Sequence, residues 1–168
     1  PKRFMYEASS RIPLIIKAPG YNPKKVTYPV SQIDIIPTLL EYFGKSIPDF
    51  LPGKSLFDFT PRNVFMQWNT DYSSDGKPTN GKNYDDCPVD PNDCMKAMMQ
   101  NIRTIVTPNG LKLSLSAQDF DLSELYDLKN DPEEKDNLYY NPIYNDSIVD
   151  LKNKILDWQK RVKDSLTL

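Results

Sequence analysis

The chain has 168 residues, 39% of them apolar, with 21 basic against 23 acidic side chains and a net charge of -2. A chain of this length buries about 70% of its unfolded surface without a disulfide lattice or a metal, and its balanced charge leaves no basic surplus for nucleic acid or anionic membranes. With no histidine it supplies no imidazole base, Ser-His or Cys-His pair, or His metal ligand, and no apolar run reaches the roughly 18 residues of a spanning helix.

No signal-like apolar stretch or initiator Met stands at the start, and Pro1 reads as a cut end. The first informative run, Ile12-Pro13-Leu14-Ile15-Ile16-Lys17-Ala18, stops at Pro19-Gly20. It reads as a strand buried on both faces, opened by Pro13, which has no N–H to give to a ladder. The next run, Val30 to Gly44, predicts a helix with Asp34 as N-cap, Pro37 in the first turn, Gly44 as C-cap, and Ile36, Leu39, Leu40 and Phe43 on one buried stripe. A strand, loop and helix imply a parallel sheet, yet nothing downstream supplies its other strands. Residues 1–60 therefore read as the tail of a larger α/β domain that begins upstream; the alternative is a small α+β domain that covers the strand with its own helices. The first reading predicts exposed apolar surface around Ile12 to Ile16.

Beyond Pro61 the pattern changes. Asn63-Val64-Phe65-Met66-Gln67-Trp68-Asn69 predicts a strand, and residues 70–100, rich in Asp, Asn, Lys, Gly and Pro, a long loop. Ile102-Arg103-Thr104-Ile105-Val106 and Leu111-Lys112-Leu113-Ser114-Leu115 flank an Asn109-Gly110 turn and predict a hairpin. Glu124-Leu125-Tyr126-Asp127-Leu128 adds a third antiparallel strand. A closing helix from Asp146 to Leu166 spaces Ile148, Leu151, Ile155, Trp158 and Val162 for one face of that sheet.

Several residues invite a functional reading. Glu7 and Arg11 stand four apart as acid and cation, which fits a structural ion pair or loop anchor better than catalysis. Trp68, Asn69 and Asp71 run from the strand into the long loop and suit a sugar face with its hydroxyls, the competing reading being that Trp68 is core. Asp71 to Gly76 imitates the start of a calcium loop, but Lys82 stands where the bidentate Glu is needed. Cys87 and Cys94, with six residues between them, suit a disulfide closing a small loop better than zinc. Asn145-Asp146-Ser147 is a glycosylation sequon in a eukaryotic source, or else a cap for the last helix.

Five blocks together resemble one family. Lys2-Arg3-Phe4-Met5-Tyr6-Glu7-Ala8-Ser9-Ser10-Arg11 leading into Ile12 to Gly20 is similar to the sulfatase block of a lysine, a Tyr-Glu, an Arg and a Pro-led apolar strand. Ser31 to Leu40 resembles the family's Asp-Leu-x-Pro-Thr-Leu-Leu helix, and Pro52-Gly53-Lys54-Ser55-Leu56 its Gly-x-Ser-Leu loop. Arg103 to Val106 with Lys112-Leu113, then Glu124 to Leu138, resemble its carboxyl-terminal sheet and Glu-Leu-Tyr-Asp-Leu signature. On these blocks, in this order, the chain resembles the carboxyl-terminal part of a type I sulfatase of the alkaline-phosphatase superfamily.

The resemblance implies an α/β fold, α+β for this stretch alone. Residues 1–60 would hold the last strand and helix of the catalytic domain, and residues 61–168 a small antiparallel sheet packed against a terminal helix. It implies a parent enzyme that hydrolyses sulfate esters, with sulfated carbohydrate as substrate, a formylglycine nucleophile made from Cys or Ser, and a calcium ion. Neither the nucleophile motif nor the calcium ligands are in this chain, which alone is expected to be inactive; its partner is the remainder of the sulfatase domain. Cys87 is followed by Pro88-Val89-Asp90-Pro91 and lacks the Arg of the nucleophile motif. Lys2 matches the family lysine that contacts the sulfate oxygens, and a fixed ammonium there stabilises the charge that builds as the ester breaks. Trp68, Asn69 and Asp71 would border the substrate cleft. The family's usual locations are exported ones, which an oxidised Cys87–Cys94 pair would suit. Two rival readings are a related phosphodiesterase or phosphonate hydrolase, and a binding or structural module without the chemistry.

Overall fold

The structure is a computed structural model and describes residues 5–58, 60–70 and 100–168. Four strands, β1 (Val64–Trp68), β2 (Ile102–Val106), β3 (Leu111–Ser116) and β4 (Glu124–Asp127), form one antiparallel sheet in chain order. The Thr107 to Gly110 turn joins β2 to β3, with Thr107 N–H donating to Leu111 O at 2.9 Å. These strands and the hairpin stand where sequence periodicity puts them.

Register assigns each side chain to a face. Phe65, Ile105, Leu113 and Leu125 stand across from one another along the ladder, so they share one face. That face receives the last helix, labelled α3 (Asn145–Val162), through Leu151 and Ile155, which with Ile105, Leu113, Leu115 and Leu125 are the centre of the core, Phe65 packing against it. Phe65 adds a stacked ring on Trp158, with centroids 5.2 Å apart. The opposite face carries Met66, Trp68, Thr104, Lys112, Ser114, Glu124 and Tyr126. It is polar and is covered in part by a single helical turn, α1 (Glu7–Ser10).

The closing helix ends earlier than its periodicity predicts. Lys163 takes a left-handed conformation (φ 56°), its N–H bonds back to Lys160 O, and Asp164 N–H reaches Gln159 O at 2.9 Å. That is a Schellman stop, with a lysine where glycine is usual. The tail beyond it is held by Arg103, whose guanidinium meets Asp164 at 2.6 and 3.0 Å while also donating to Trp68 O. Asn145 is the first residue of the helix, whose N-cap is Tyr144 without a side-chain bond; Asn141 caps the short 3-10 turn before it at Pro142–Tyr144, accepting from Ile143 N–H.

The amino-terminal third departs from the sequence reading in two ways. Ile12 to Ile16 forms no strand, and Ile15 is 93% exposed. A strand exists only with a neighbour to accept its backbone hydrogen bonds, and no neighbour pairs with it among the described residues. The exposed apolar surface expected there is present. Secondly, the stripe on α2 (Ile35–Tyr42) is reversed: Ile36, Leu39 and Phe43 are exposed, whereas Asp34, Pro37 and Thr38 are buried. The helix begins at Ile35 with Asp34 in the N-cap position, as expected, but the Asp34 side chain makes no cap bond there; it serves instead the capping box of the 3-10 turn at Gln32–Asp34 that precedes the helix, whose own cap is Ser31. Its end is as expected: Gly44 has φ 66°, and Lys45 N–H bonds Leu40 O.

What buries the polar side of α2 is the 52–57 loop. Asp34 accepts from Ser31 N–H at 2.8 Å and Lys54 N–H at 3.0 Å, and it pairs with Arg62. Thr38 Oγ1 donates to Asp34 O at 2.6 Å and accepts from Leu56 N–H at 2.9 Å. Gly53 lets the loop approach, since a Cβ there would stand 2.0 Å from Ile33 O. No described helix is long and apolar enough to cross a membrane.

Two expectations follow from these locks. Gly53→Ala drives a methyl into backbone that cannot yield, so thermal unfolding should show a loss of about 1–3 kcal/mol, with faster amide exchange at Lys54 and Leu56. Asp164 is held well below the usual carboxylate range, chiefly by its hydrogen bonds to Arg103 and against its own burial. A depressed carboxyl stabilises fully above its unfolded value of about 3.9 and loses that contribution as pH falls toward the folded value. The melting-temperature gap between the natural chain and Asp164→Asn should therefore be constant above about pH 5 and narrow below it.

Candidate functional site

The polar face of the sheet gathers the titratable cluster that the fold buries most completely. Lys112, in the middle of β3, has a side chain only 1% exposed. Its Nζ donates to Glu7 Oε1 at 3.1 Å. It also lies 2.8 Å from Glu134 Oε1, an ion-pair distance at an angle that makes no hydrogen bond. Glu134 Oε2 accepts the backbone N–H of Glu7. Beside this group Glu124 Oε1 accepts from Tyr6 at 2.6 Å and from Tyr126 at 3.1 Å, and the two tyrosine rings meet edge to face. Consecutive residues, Tyr6 and Glu7, are thus gripped from the sheet through a hydroxyl, a carboxylate and a backbone amide.

The segment after β4 aims Glu134 inward. Asp131 accepts from Asp136 N–H at 2.9 Å, and Glu134 takes a left-handed φ of 55°. Asn137 closes the loop on β4 by accepting from Leu125 N–H and donating to Ser123 O. The Glu124 to Leu138 signature is therefore a strand and a tight loop built to present two carboxylates to residues 6 and 7.

Electrostatics follow from burial. Burial raises the Glu124 carboxyl above its ordinary value, and the hydrogen bonds from Tyr6 and Tyr126 pull against that rise. Tyr6 is pushed up to about 12, first by burial and then by its bond to Glu124, and Tyr126 is raised for the same first reason. Both tyrosines stay protonated donors at neutral pH.

The sequence-predicted residues fall in three places. Trp68 sits on this same polar face, half-buried, and its Nε1 has no hydrogen-bond partner among the described residues. It stands at the Ile102 end of the sheet, four ladder positions from the Val106–Lys112 pair, about 13 Å along the strand. Asn69 follows it, exposed. Lys2, Asp71, the Asp71 to Gly76 run with Lys82, Cys87 and Cys94 lie outside the described residues. Glu7 is the loop anchor it was read as, but its ion partner is Lys112, not Arg11. Among the described residues no group of three or more His, Cys, Asp or Glu side chains could hold a metal. They do not form a calcium site, and no step is assigned to that ion or to formylglycine through them.

Sequence reasoning missed Lys112 and Glu134. In Leu-Lys-Leu-Ser-Leu the alternation puts Lys112 on a polar face, which ordinarily means solvent. The available signal was the excess of polar groups on matching positions of β4, Glu124 and Tyr126, which need a partner when covered. Lys112→Met should cost about 3–5 kcal/mol in denaturant unfolding, because Glu7 and Glu134 would remain in place without their cation.

Comparison with known proteins gives the arrangement its context. Residues 1–74 match the family model described as N-sulphoglucosamine sulphohydrolase, C-terminal. The chain is 30% identical over 161 residues, 95% of its length, to the uncharacterized sulfatase YidJ of Escherichia coli, and it spans 28% of that protein. It is 31% identical over 92% of its length to the multifunctional alkaline phosphatase superfamily protein PehA of Trinickia caryophylli, covering 30% of it. The fold is similar to a solved structure described as BT4656 in complex with its substrate D-glucosamine-2-N,6-O-disulfate. The TM-score is 0.54 at 23% identity, over 79% of this chain and 24% of the other. The chain thus spans less than a third of each of these proteins. Its likeness is to the carboxyl-terminal portion of the type I sulfatases of the alkaline-phosphatase superfamily.

Proposed function

We propose that the parent protein hydrolyses sulfate esters, with a sulfated carbohydrate as substrate, and that this chain contributes Lys2 to the sulfate site and Trp68, Asn69 and Asp71 to the sugar side of the cleft. The observation that carries the reading is the likeness to a sulfatase along 95% of the chain. A similar fold, solved in complex with D-glucosamine-2-N,6-O-disulfate, supports the sugar class. Formylglycine supplies the nucleophile and calcium the metal charge, both from residues outside this chain. Lys2 donates from its ammonium to the sulfate oxygens, where negative charge grows as the ester bond breaks, and this favours the transition state over bound substrate. The half-buried indole of Trp68 offers an aromatic surface of the kind that packs against the apolar face of a sugar.

The exposed apolar groups at Ile12 to Ile16 and on α2 support a second part of the reading. They are the surface on which the remainder of the sulfatase domain packs, so the isolated chain has no turnover.

The similarity to a multifunctional superfamily protein favours one rival, a phosphate-diester or phosphonate hydrolase. Rates of the parent on an aryl sulfate and an aryl phosphate diester separate the two. The sulfatase reading expects the sulfate to be preferred by about 100-fold or more and Lys2→Ala to lower kcat by about the same factor. Preference for the diester would overturn it. Saturable binding of a sulfated sugar by this chain alone, beside an inactive parent, would make it a binding module instead.

A further inference from the structure

β1 is an edge strand, and its pairing with β2 stops at Trp68 opposite Ile102; Asn69 and Thr70 beyond it belong to no helix or strand. Side chains take over from the ladder there. Arg103, 2% exposed, donates from Nη1 to Trp68 O at 3.1 Å and to Ile102 O at 3.0 Å. Asn101 Oδ1 accepts the Thr70 N–H at 2.8 Å. The two bonds grip the chain by its backbone on either side of Asn69.

Both grips are themselves anchored. The guanidinium forks onto Asp164 at 2.6 and 3.0 Å, and Asp164 also accepts from Gln159 Nε2 at 2.9 Å, on the helix that packs the sheet. Asn101 donates its own N–H to Gln118 Oε1 at 2.7 Å, and its carbonyl accepts from Ala117 N–H at 3.0 Å. A guanidinium buried on the core side of the sheet costs more than an apolar side chain of similar volume. What it adds at that place is direction at the strand end.

We propose that Arg103 and Asn101, with Asp164 behind the guanidinium, are positioning residues for Trp68, so that the start of β2 and the tail after α3 set how the indole is presented to a sugar. This rests on the sugar-side reading of Trp68 and names what fixes its geometry. Trp68 stands opposite Ile102 and projects from the face that Arg103 does not share, so the guanidinium holds its carbonyl from the other side of the sheet. A backbone rotation of about 10° moves the far edge of an indole, about 6 Å from its Cα, by about 1 Å, and a contact group looser than about 0.5 Å already weakens recognition.

The test is a double-mutant cycle in the full-length parent, assayed on its fastest substrate from a panel of sulfated hexosamines, hexoses and uronate disaccharides. Trp68→Ala should lower kcat/KM by about tenfold or more. Asn101→Ala removes one acceptor, and Arg103→Lys keeps a cation toward Asp164 without the fork that also reaches Trp68 O; each should lower kcat/KM by about fivefold, mostly through KM. In a Trp68→Ala background each should cost less than about twofold, since the ring it aims is gone. Asn101→Asp keeps the Oδ1 acceptor and should restore kcat/KM to within about twofold, with amide exchange at Thr70 quick in Asn101→Ala and slow again in Asn101→Asp. Asn101 is partly exposed, and its variants carry the cycle alone if Arg103→Lys does not fold. An equal fold-loss with and without the indole would show a merely structural role and overturn the proposal, as would an unchanged kcat/KM in both Asn101→Ala and Arg103→Lys. If Trp68→Ala turns over the sugar sulfate as before, the sugar-side reading fails and the positioning role falls with it. A parent that cleaves an aryl sulfate but no sugar of the panel overturns that reading too, and one inactive on every sulfate ester overturns the functional reading itself.

Discussion

A lysine ammonium buried to 1% exposure is costly unless opposite charge meets it, and Lys112 is met by two carboxylates from opposite ends of the chain. One sits 105 positions before it and the other belongs to the loop after β4. Neither carboxylate can leave without exposing the others' charge to an apolar interior. The sheet therefore has one face that packs a helix by shape and another that fixes the amino-terminal segment by charge. The apolar face gives cohesion without direction; the ionic face gives direction, because an ion pair that leaves its position has no equivalent nearby.

The same division of labour recurs around α2. Its buried side is Asp34, Pro37 and Thr38 bonded to the 52–57 loop, while its apolar side is open. Polar locks thus close within the chain, whereas the apolar side of α2 and the Ile12 to Ile16 run stay open. This explains how a stretch matching less than a third of its relatives still keeps well-defined local geometry. Backbone amides at Ser31, Lys54 and Leu56 need specific acceptors, and those acceptors are supplied locally.

The motifs that tie this chain to the sulfatases mostly encode such locks. Gly53 grants a close approach, Asp34 gathers amides, Asn137 and Asp131 fold a loop, and Glu124 receives two tyrosines. Their chemistry is architectural.

Periodicity and turn residues alone determined the four-stranded sheet, the Asn109-Gly110 hairpin and the closing helix, because each buries a face that its own alternation defines. The ordered blocks determined the sulfatase likeness. Only the tertiary structure decided which side of α2 is covered, since Ile36, Leu39 and Phe43 form an unmistakable apolar stripe whether or not anything covers it. It also decided that Ile12 to Ile16 is no strand, because a strand is a property of two chain segments and the sequence shows only one. The partners of Lys112 were illegible for a similar reason. A lysine on an alternating strand looks the same in water as in a buried pair, and the carboxylates that separate the two cases lie about a hundred residues away or across a turn.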